Sequence, residues 1–371
     1  MHHSRWGPLA LVAAISGCAH RHVPASVPAA KGPRDNTALE QGDVVLDDGW
    51  HLDPREVLAI ADGSSREYRV RVRRRTDATR FHALPTADAP RAPQGQRVQQ
   101  GRDGRPQLRP VRPPAASLDH LQSAALALET GDRDAAREHL AIVTVQDPEW
   151  AAGWALAGHV ALEAGDSDAA ATLLQRAVEL NPIDARTWWA LGQVHAEAGR
   201  VGPAHDAQVR AYVLDPNHAA GVADLEATLK MEGKRLAVRR LDLPFTVRVR
   251  DDVVDVTLQD PAWMPMAMCV AVWSAEPALQ AEVAAPGLRE PAAWRSCFAS
   301  AAMGFEALAA AGQPLPPRAR RLLAAAQGGF LELLVLWDIL GHAAPEGIAM
   351  LPDHVRAAGV EYVERYVIET E

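Results

Sequence analysis

The feature that most constrains this 371-residue chain is a proline that recurs every 34 residues, at Pro148, Pro182 and Pro216. Each proline follows an Asp or an Asn. Glycines and small residues keep the same spacing, at Gly131, Gly165, Gly199 and Gly233, at Ala124, Gly158 and Gly192, and at Ala136, Ala170 and Ala204. Because proline cannot continue a helix and glycine readily adopts the left-handed conformation that ends one, each period predicts two helices joined by a short turn.

These positions resemble the tetratricopeptide repeat (TPR), a helix-turn-helix unit of the same period. Trp154 and Trp188 fill the bulky position near the start of its first helix. In that family the small residues let the two helices cross closely, and larger ones would overpack the crossing. The resemblance implies repeats at 117–150, 151–184 and 185–218, with a capping helix at 219–233. His120 departs from the pattern in the first repeat. His195 and Gln208 depart from it in the third, which predicts looser packing of that repeat or a contact with the next domain.

The N-terminus is predicted to be a processing signal. A basic start precedes an apolar run over residues 7–16, which is too short to span a bilayer and ends in the sequence ISGC at Cys18. This resembles the bacterial lipobox, which implies that Cys18 is acylated and becomes the mature N-terminus. The alternative is an ordinary signal peptide with an incidental cysteine. Ala19, where inner-membrane lipoproteins of Gram-negative bacteria carry Asp, implies the outer membrane.

Composition divides the chain further. The predicted segments are a signal peptide (1–17), a tether (18–43), a possible small structured segment (44–75), a Pro- and Arg-rich linker (76–116), the TPR array (117–233) and an α-rich domain of unknown family (235–371). The linker has few large apolar residues, so it cannot bury enough surface to offset its ordering entropy. The arginines of residues 66–112 either extend it by mutual repulsion or contact anionic lipid headgroups or cell-wall polymer.

The C-terminal module combines strands and helices. Residues 245–250 and 253–258 alternate apolar and polar side chains around Asp251-Asp252, which predicts a β-hairpin. Helices are predicted at about 290–312, 316–341 and 352–368. The predicted fold class is therefore mostly α: a TPR helix-turn-helix solenoid followed by an α-rich module with a small β-hairpin.

The cysteines predict an extracytoplasmic environment. If Cys18 is lipidated, Cys269 and Cys297 remain as an even pair in an oxidising compartment. They form either a disulfide or two buried thiols, since both have apolar neighbours.

Known catalytic motifs are missing from the sequence. Asp338 and His342 lie one helical turn apart, near Glu346, as a general base and its orienting carboxylate would. The apolar helix around Asp338 favours a structural role instead. His20 and His22 have no third ligand in the tether. We therefore predict no catalytic residue, metal or cofactor, and the net charge of −9 argues against nucleic acid as the main partner.

In the TPR family the first helices of successive repeats line a groove through their second, fifth, ninth, twelfth and thirteenth positions. Here the resemblance implies a partner-binding groove that includes Leu121, His159, Glu163, Arg186, Trp189, Gln193, Glu197 and Lys230. Trp188 takes the buried position, and the next residue points about 100° away, so Trp189 is predicted to be at least partly exposed beside Arg186 and Gln193. The alternatives are that residues 44–75 or the C-terminal module fill the groove.

Together these features predict a non-enzymatic, outer-membrane-anchored TPR lipoprotein that binds a protein partner in an envelope assembly. The alternative is that residues 235–371 form an unrecognised enzyme and the array is its docking platform. A cleft that gathers Asp338, His342 and other polar groups would favour the enzyme.

Overall fold

The computed structural model describes residues 52–73, 92, 95–102, 106–237, 243–282, 289–341 and 345–370. The predicted signal peptide, the tether with Cys18, and His342 lie outside these residues. Within the described ranges, no helix combines the length and apolar composition that crossing a bilayer requires.

The first group of elements runs from the N-terminal side to the end of the repeats: α1 (Pro54–Gly63), β1 (Glu67–Val72), β2 (Gln96–Gln100), β3 (Pro106–Pro110), α2 (Leu118–Glu129), α3 (Arg133–Gln146), α4 (Ala151–Glu163), α5 (Ser167–Leu180), α6 (Ala185–Glu197), α7 (Val201–Leu214) and α8 (Ala219–Met231). The second group follows: β4 (Lys234–Leu236), β5 (Phe245–Arg250), β6 (Val253–Leu258), α9 (Met264–Ala275), α10 (Pro277–Glu282), α11 (Arg289–Ala310), α12 (Pro317–Gln327), α13 (Leu331–Leu334), α14 (Pro345–Ala349), α15 (Asp353–Tyr362) and β7 (Ile368–Thr370). The π-helical segments Val335–Gly341 and Val363–Val367 continue α13 and α15.

The chain forms two compact units. The first comprises Met1–Ala89, Arg240–Gly347 and Asp353–Tyr362, and the second comprises Pro90–Arg239, Ile348–Pro352 and Val363–Glu371. The predicted fold class is confirmed, because helices dominate both units and the sheets are small.

Helices α2 to α8 form the predicted repeats in the second unit. The turn glycines have positive φ angles of 79° at Gly131, 80° at Gly165, 70° at Gly199 and 68° at Gly233. L-amino acids with side chains rarely adopt this conformation, which explains why glycine recurs at each turn. The sequence period therefore fixed both the helices and the turns between them.

Small residues allow the paired helices to cross closely, as predicted. A Cβ atom on Gly158 would lie 2.6 Å from Cγ of Leu174, and one on Gly192 would lie 2.5 Å from Cγ of Gln208. Gln208 is 2% exposed, so it fills the crossing of the third repeat. Its Oε1 atom has no hydrogen-bond partner among the described residues.

The recurring tryptophans and prolines are linked by hydrogen bonds. The indole N–H of Trp154 donates to the carbonyl of Pro148 at 2.9 Å, and that of Trp188 donates to Pro182 at 3.0 Å. Each bond ties the start of a repeat to the turn that precedes it. The tryptophan N–H and the proline carbonyl of each pair thus satisfy each other's hydrogen bonding. This adds to the separate roles of the two residues in packing and in ending helices.

Part of the segment predicted to be a linker is structured. Strands β2 and β3 pair antiparallel, from Gln96↔Pro110 to Gln100↔Pro106. The Nδ2 atom of Asn181 donates to the carbonyl of Gln96 at 3.0 Å. Such a hairpin satisfies its backbone without a large apolar core, and the prolines occupy the ends of β3, where a missing N–H is tolerated. The other residues of 74–105, apart from 92, 95 and 101–102, lie outside the described ranges.

The first unit contains the predicted β-hairpin, which is confirmed, and a strand that was not expected to join it. Strands β5 and β6 pair antiparallel, and β1 pairs with β6 in parallel from Glu67↔Val253 to Val72↔Leu258. The buried face of β6 carries Val254, Val256 and Leu258, and α9 packs against this sheet. The structured part of residues 44–75 thus folds with the C-terminal module.

Helix α1 begins directly after Asp53, which caps it together with Glu56. Asp53 accepts hydrogen bonds from the backbone N–H groups of Arg55 and Glu56, while the Glu56 carboxylate accepts one from the N–H of Asp53. This reciprocal cap satisfies donors that the first helical turn leaves free. The N–H of Leu52 donates to Oγ of Ser296, which fastens the start of this helix inside the unit.

The C-terminal helices differ from the prediction at one point. The helix predicted over residues 316–341 is interrupted, because α12 ends at Gln327 and α13 begins at Leu331. Gly329 between them has a φ of 80°. In the same unit Cys269 on α9 is bonded to Cys297 on α11, and both are fully buried. Of the two alternatives for this pair, the structure therefore has the disulfide.

The last residues of the chain belong to the unit that holds the repeats. Strand β7 pairs antiparallel with β4, from Lys234↔Thr370 to Leu236↔Ile368. Val363 and Val367, just before β7, are buried. A single domain over 235–371 is therefore an incomplete description, because both ends of that range join the repeats.

Candidate functional site

The first helices of successive repeats, α2, α4, α6 and α8, share one face of the array, and α6 contacts both α4 and α8. We call this surface the A-helix face and define it by Leu118, Leu121, Leu128, His159, Glu163, Arg186, Trp189, Gln193, Glu197, Lys230 and Met231. Of the residues predicted for the groove, Leu121, His159, Trp189 and Gln193 are half-buried, and Glu163, Arg186, Glu197 and Lys230 are exposed.

Trp189 is half-buried because helix α8 packs against it. Its indole N–H donates to Oδ2 of Asp224 at 2.7 Å, and Nε2 of Gln193 donates to the same oxygen at 3.1 Å. The Trp189 ring meets the His218 ring edge to face, with 4.7 Å between centroids. The ring therefore remains partly accessible, but its N–H is already bonded within the chain.

Sequence reasoning missed Asp224, although a signal was available. Asp224 follows Trp189 by 35 residues, one position beyond the repeat period. Equivalent positions on neighbouring first helices lie side by side in such an array. The period alone therefore places a carboxylate of α8 beside the indole of α6.

Electrostatic contacts link α4 and α6 on the same face. Burial and the guanidinium of Arg186 lower the pKa of His159, while the carboxylates of Asp184 and Glu163 oppose this effect. His159 is therefore neutral near neutral pH, and its ring adds little charge to the face. The charged groups of this part of the face are the exposed Arg186 and Glu163.

Large apolar side chains on the A-helix face remain exposed. The exposed fractions are 50% for Leu118, 39% for Leu128 and 61% for Met231. These residues occupy the second, twelfth and thirteenth positions of their repeats. The TPR resemblance assigns these positions to the groove. Each of these apolar side chains therefore keeps a large surface that a partner could contact.

Asp338, the carboxylate considered for catalysis, forms an ion pair in the first unit. Asp338 binds the guanidinium of Arg321, and both side chains are 11% exposed. Glu332 likewise binds Arg295, with an N–O distance of 3.3 Å. A carboxylate held by arginine is not free to orient a histidine. In the described part of the chain, no three His, Cys, Asp or Glu side chains gather where they would hold a metal ion.

Comparison with known proteins agrees with the repeat geometry. A family model described as tetratricopeptide repeat matches residues 156–219, from within α4 to the start of α8. Helices α2 to α8 form a TPR-like solenoid, part of which the family model matches. The TPR repeats account for the recurring prolines, the turn glycines and the close helix crossings. No curated protein matches the chain.

The solved structures that are similar to this chain include two of MamA. A crystal structure of MamA protein shows 19% sequence identity and a TM-score of 0.31, covering 54% of this chain and 98% of that one. A second crystal structure of MamA shows 16% identity and a TM-score of 0.29, covering 56% of this chain and 93% of that one. At these TM-scores the likeness carries no argument about this chain.

Proposed function

We propose that this protein is a scaffold that binds a protein partner through the A-helix face of its TPR array. The observation that carries the proposal is the exposure of Leu118, Leu128 and Met231 on that face. Scattered exposed apolar residues are ordinary on a protein surface. Apolar residues at the ligand-facing positions of one helix layer, which the fold leaves exposed, are what a docking surface supplies.

The charges of the A-helix face support the same proposal. Exposed Glu163, Glu197, Arg186 and Lys230 accompany the apolar residues. Protein interfaces commonly combine an apolar centre with polar residues at the rim, and the rim charges orient the partner. Both signs of charge are present, so we expect a partner segment with mixed charge.

Trp189 contributes a rigid wall to this face. Because Asp224 and His218 hold the ring in place, little conformational entropy is lost when a partner contacts it. Replacing Trp189 would also release α8 from α6. A test of binding is therefore cleaner at Leu118 and Leu128, which are 50% and 39% exposed.

The double variant Leu118→Asp, Leu128→Asp is expected to weaken partner capture at least about tenfold, because it places two charges in the apolar part of the interface. The measurement immobilises the full-length protein, incubates it with detergent-solubilised envelopes and quantifies each captured protein. The matched control is Ile142→Asp, Val145→Asp, since these residues of α3 are exposed by 38% and 80% but lie on the second helix of the same repeat.

A genuine partner is a protein retained by the wild type and by the control but lost by the double variant. Circular dichroism must show that both variants fold. If every captured protein binds the folded double variant as well as the wild type, the binding site is not on the A-helix face.

We further propose that acylated Cys18 anchors the protein at the outer membrane, where the partner belongs to an envelope assembly. The support is the apolar run that ends in ISGC, together with Ala19 after the cysteine. Several acyl chains on one residue anchor a protein far more firmly than a single chain does. The disulfide between Cys269 and Cys297 is consistent with an oxidising compartment.

Replacing Cys18 by serine is expected to abolish acylation and to move the protein from the membrane to the soluble fraction. The folded units should be unchanged, because the predicted tether (18–43) places the lipid far along the chain from the repeats. The measurement is the fraction that sediments with membranes after a high-salt wash, with circular dichroism as the control for folding. Unchanged sedimentation of the serine variant would show that lipid on Cys18 is not the anchor.

A further inference from the structure

One stripe of α7 is buried where its counterparts in the earlier repeats are not. The α7 stripe consists of His205, Val209 and Val213, which are 5%, 0% and 1% exposed. The residues 34 positions earlier are Ala171, which is half-buried, and Gln175 and Glu179, which are exposed. The residues 68 positions earlier, Arg137, Ala141 and Val145, are all exposed. The third repeat therefore has a cover that the first two lack.

The C-terminal tail, which we define as Val363 to Thr370, contacts the first residue of this stripe. The Nε2 atom of His205 lies 2.8 Å from Oε1 of Glu364. Strand β7 of the tail also pairs with β4, and the N–H of Ala237 donates to the carbonyl of Val367 at 2.7 Å. The tail is thus held by backbone pairing at one end and by His205 at the other.

His205 is bonded on both sides. Its Nδ1 atom lies 2.6 Å from Oε2 of Glu232, at the end of α8, and its side chain is only 6% exposed. A neutral imidazole has one N–H, so it can donate to one of the two carboxylates only. The imidazolium form donates to both. The geometry therefore requires a protonated His205 if both contacts are to be hydrogen bonds.

The surrounding charges favour that protonated form. Hydrogen bonds to Glu364 and Glu232 raise the pKa of His205, although burial acts in the opposite direction. The charged groups that face the imidazole are Glu364 from the tail and Glu232 from the end of α8. Lys234 of β4 in turn binds Glu232, with Nζ 2.9 Å from Oε2.

We propose that the C-terminal tail is a pH-sensitive strap on the TPR array, fastened by protonated His205 and loosened when His205 loses its proton. The proton leaves from one ring nitrogen to water, and the lone pair that remains faces a carboxylate oxygen. One hydrogen bond is replaced by repulsion in a largely buried position. This device goes beyond the proposed function, because it lies on α7 and the tail and uses no residue of the A-helix face.

The direction in which tail attachment depends on pH follows from the pKa shifts of His205 and Glu232. Because the pKa of His205 is raised, its contribution is complete below the pKa of histidine in the unfolded chain and is lost as pH rises through the folded value. Burial alone would raise the pKa of Glu232, but Lys234 and His205 lower it overall. The contribution of Glu232 is therefore lost as pH falls. The strap is expected to hold most tightly between these two limits.

Hydrogen–deuterium exchange of the full-length protein tests the strap. The reading is the protection of peptides that cover the tail, corrected for the faster chemical exchange of amides at higher pH. As pH rises from about 6 to about 9, tail protection should fall about tenfold in the wild type, the effect of losing one charge-assisted hydrogen bond. In His205→Gln, protection should be low throughout and independent of pH, because an amide cannot take up the proton.

The matched control is His195→Gln. His195 is half-buried and accepts a hydrogen bond from Nε of Arg200 instead of meeting a carboxylate, so its replacement should leave the pH dependence of the tail unchanged. If His205→Gln fails to fold, Glu364→Gln removes the same charge pair from the tail side. Wild-type protection that does not change with pH, or an unchanged pH dependence in either His205→Gln or Glu364→Gln, would overturn the proposal.

Discussion

Replacing Cys269 and Cys297 together by alanine is expected to lower the free energy of unfolding of the first unit by about 3 to 4 kcal/mol. The bond joins α9 to α11 across a sequence separation of 28 residues, and breaking it frees that loop in the unfolded chain. Both residues are fully buried, so alanine introduces no polar group into the core. The measurement is the midpoint and slope of urea unfolding under non-reducing conditions.

Two controls separate the bond from the side chains. Cys18→Ser alone should leave the unfolding of this unit unchanged. Adding a reductant to the wild type during unfolding should reproduce most of the loss seen in the double alanine variant. Thiol labelling of the denatured, non-reduced protein should leave Cys269 and Cys297 unmodified. Complete labelling of both, with no change in stability on mutation, would contradict a disulfide in the native protein.

The sequence was most informative in the repeats, where residues that end helices or allow them to cross recur at a fixed spacing. Pro182 cannot continue a helix, and Gly199 readily adopts the positive φ angle of the turn that ends α6. The 34-residue spacing of such residues therefore predicts the helix pairs. Gly158 was placed correctly at a helix crossing for the same reason: its counterparts in the other repeats are also small. Each of these inferences needs only residues within one repeat.

Pairing between distant segments could not be predicted from the sequence. Strand β1 joins β6 although Glu67 and Val253 are 186 residues apart, and no period relates the two segments. His205 and Glu364 are separated by 159 residues. A strand with exposed edges and alternating arginines, such as β1, is compatible with many partners. Only the packing of the whole unit selects one of them.

Two features could not be predicted from composition or from neighbouring residues in the sequence. The linker prediction over 76–116 counted apolar residues, whereas β2 and β3 are stabilised by backbone hydrogen bonds that composition does not report. For Asp338 the sequence favoured a structural role over a catalytic one, but it did not identify the partner. Its actual partner, Arg321, lies 17 residues earlier on another helix. For Asp338 the deciding interaction was with a side chain of another helix, whereas β2 and β3 both lie within the predicted linker and pair through their backbones.

Leu174→Ala is expected to lower the free energy of unfolding of the TPR array by about 3 kcal/mol. Leu174 is 0% exposed and lies directly beneath Gly158, where no side chain of α4 can move in to fill the space. It belongs to a core that also contains Leu191 and Val194 of the next repeat. The substitution therefore removes contacts both within the second repeat and between the second and third.

The matched control is Leu156→Ala on α4, which removes the same atoms from a side chain that is 43% exposed and should change stability by less than about 0.5 kcal/mol. In a repeat array, stability is approximately the sum of each repeat and its interfaces with its neighbours. Weakening the central repeat should therefore loosen α2 and α3 from α6 to α8, and urea unfolding of Leu174→Ala should become broader as well as earlier. Equal stability of the two alanine variants would mean that the Leu174 site collapses without leaving a cavity, and that the helix crossing at Gly158 is not the rigid contact described above.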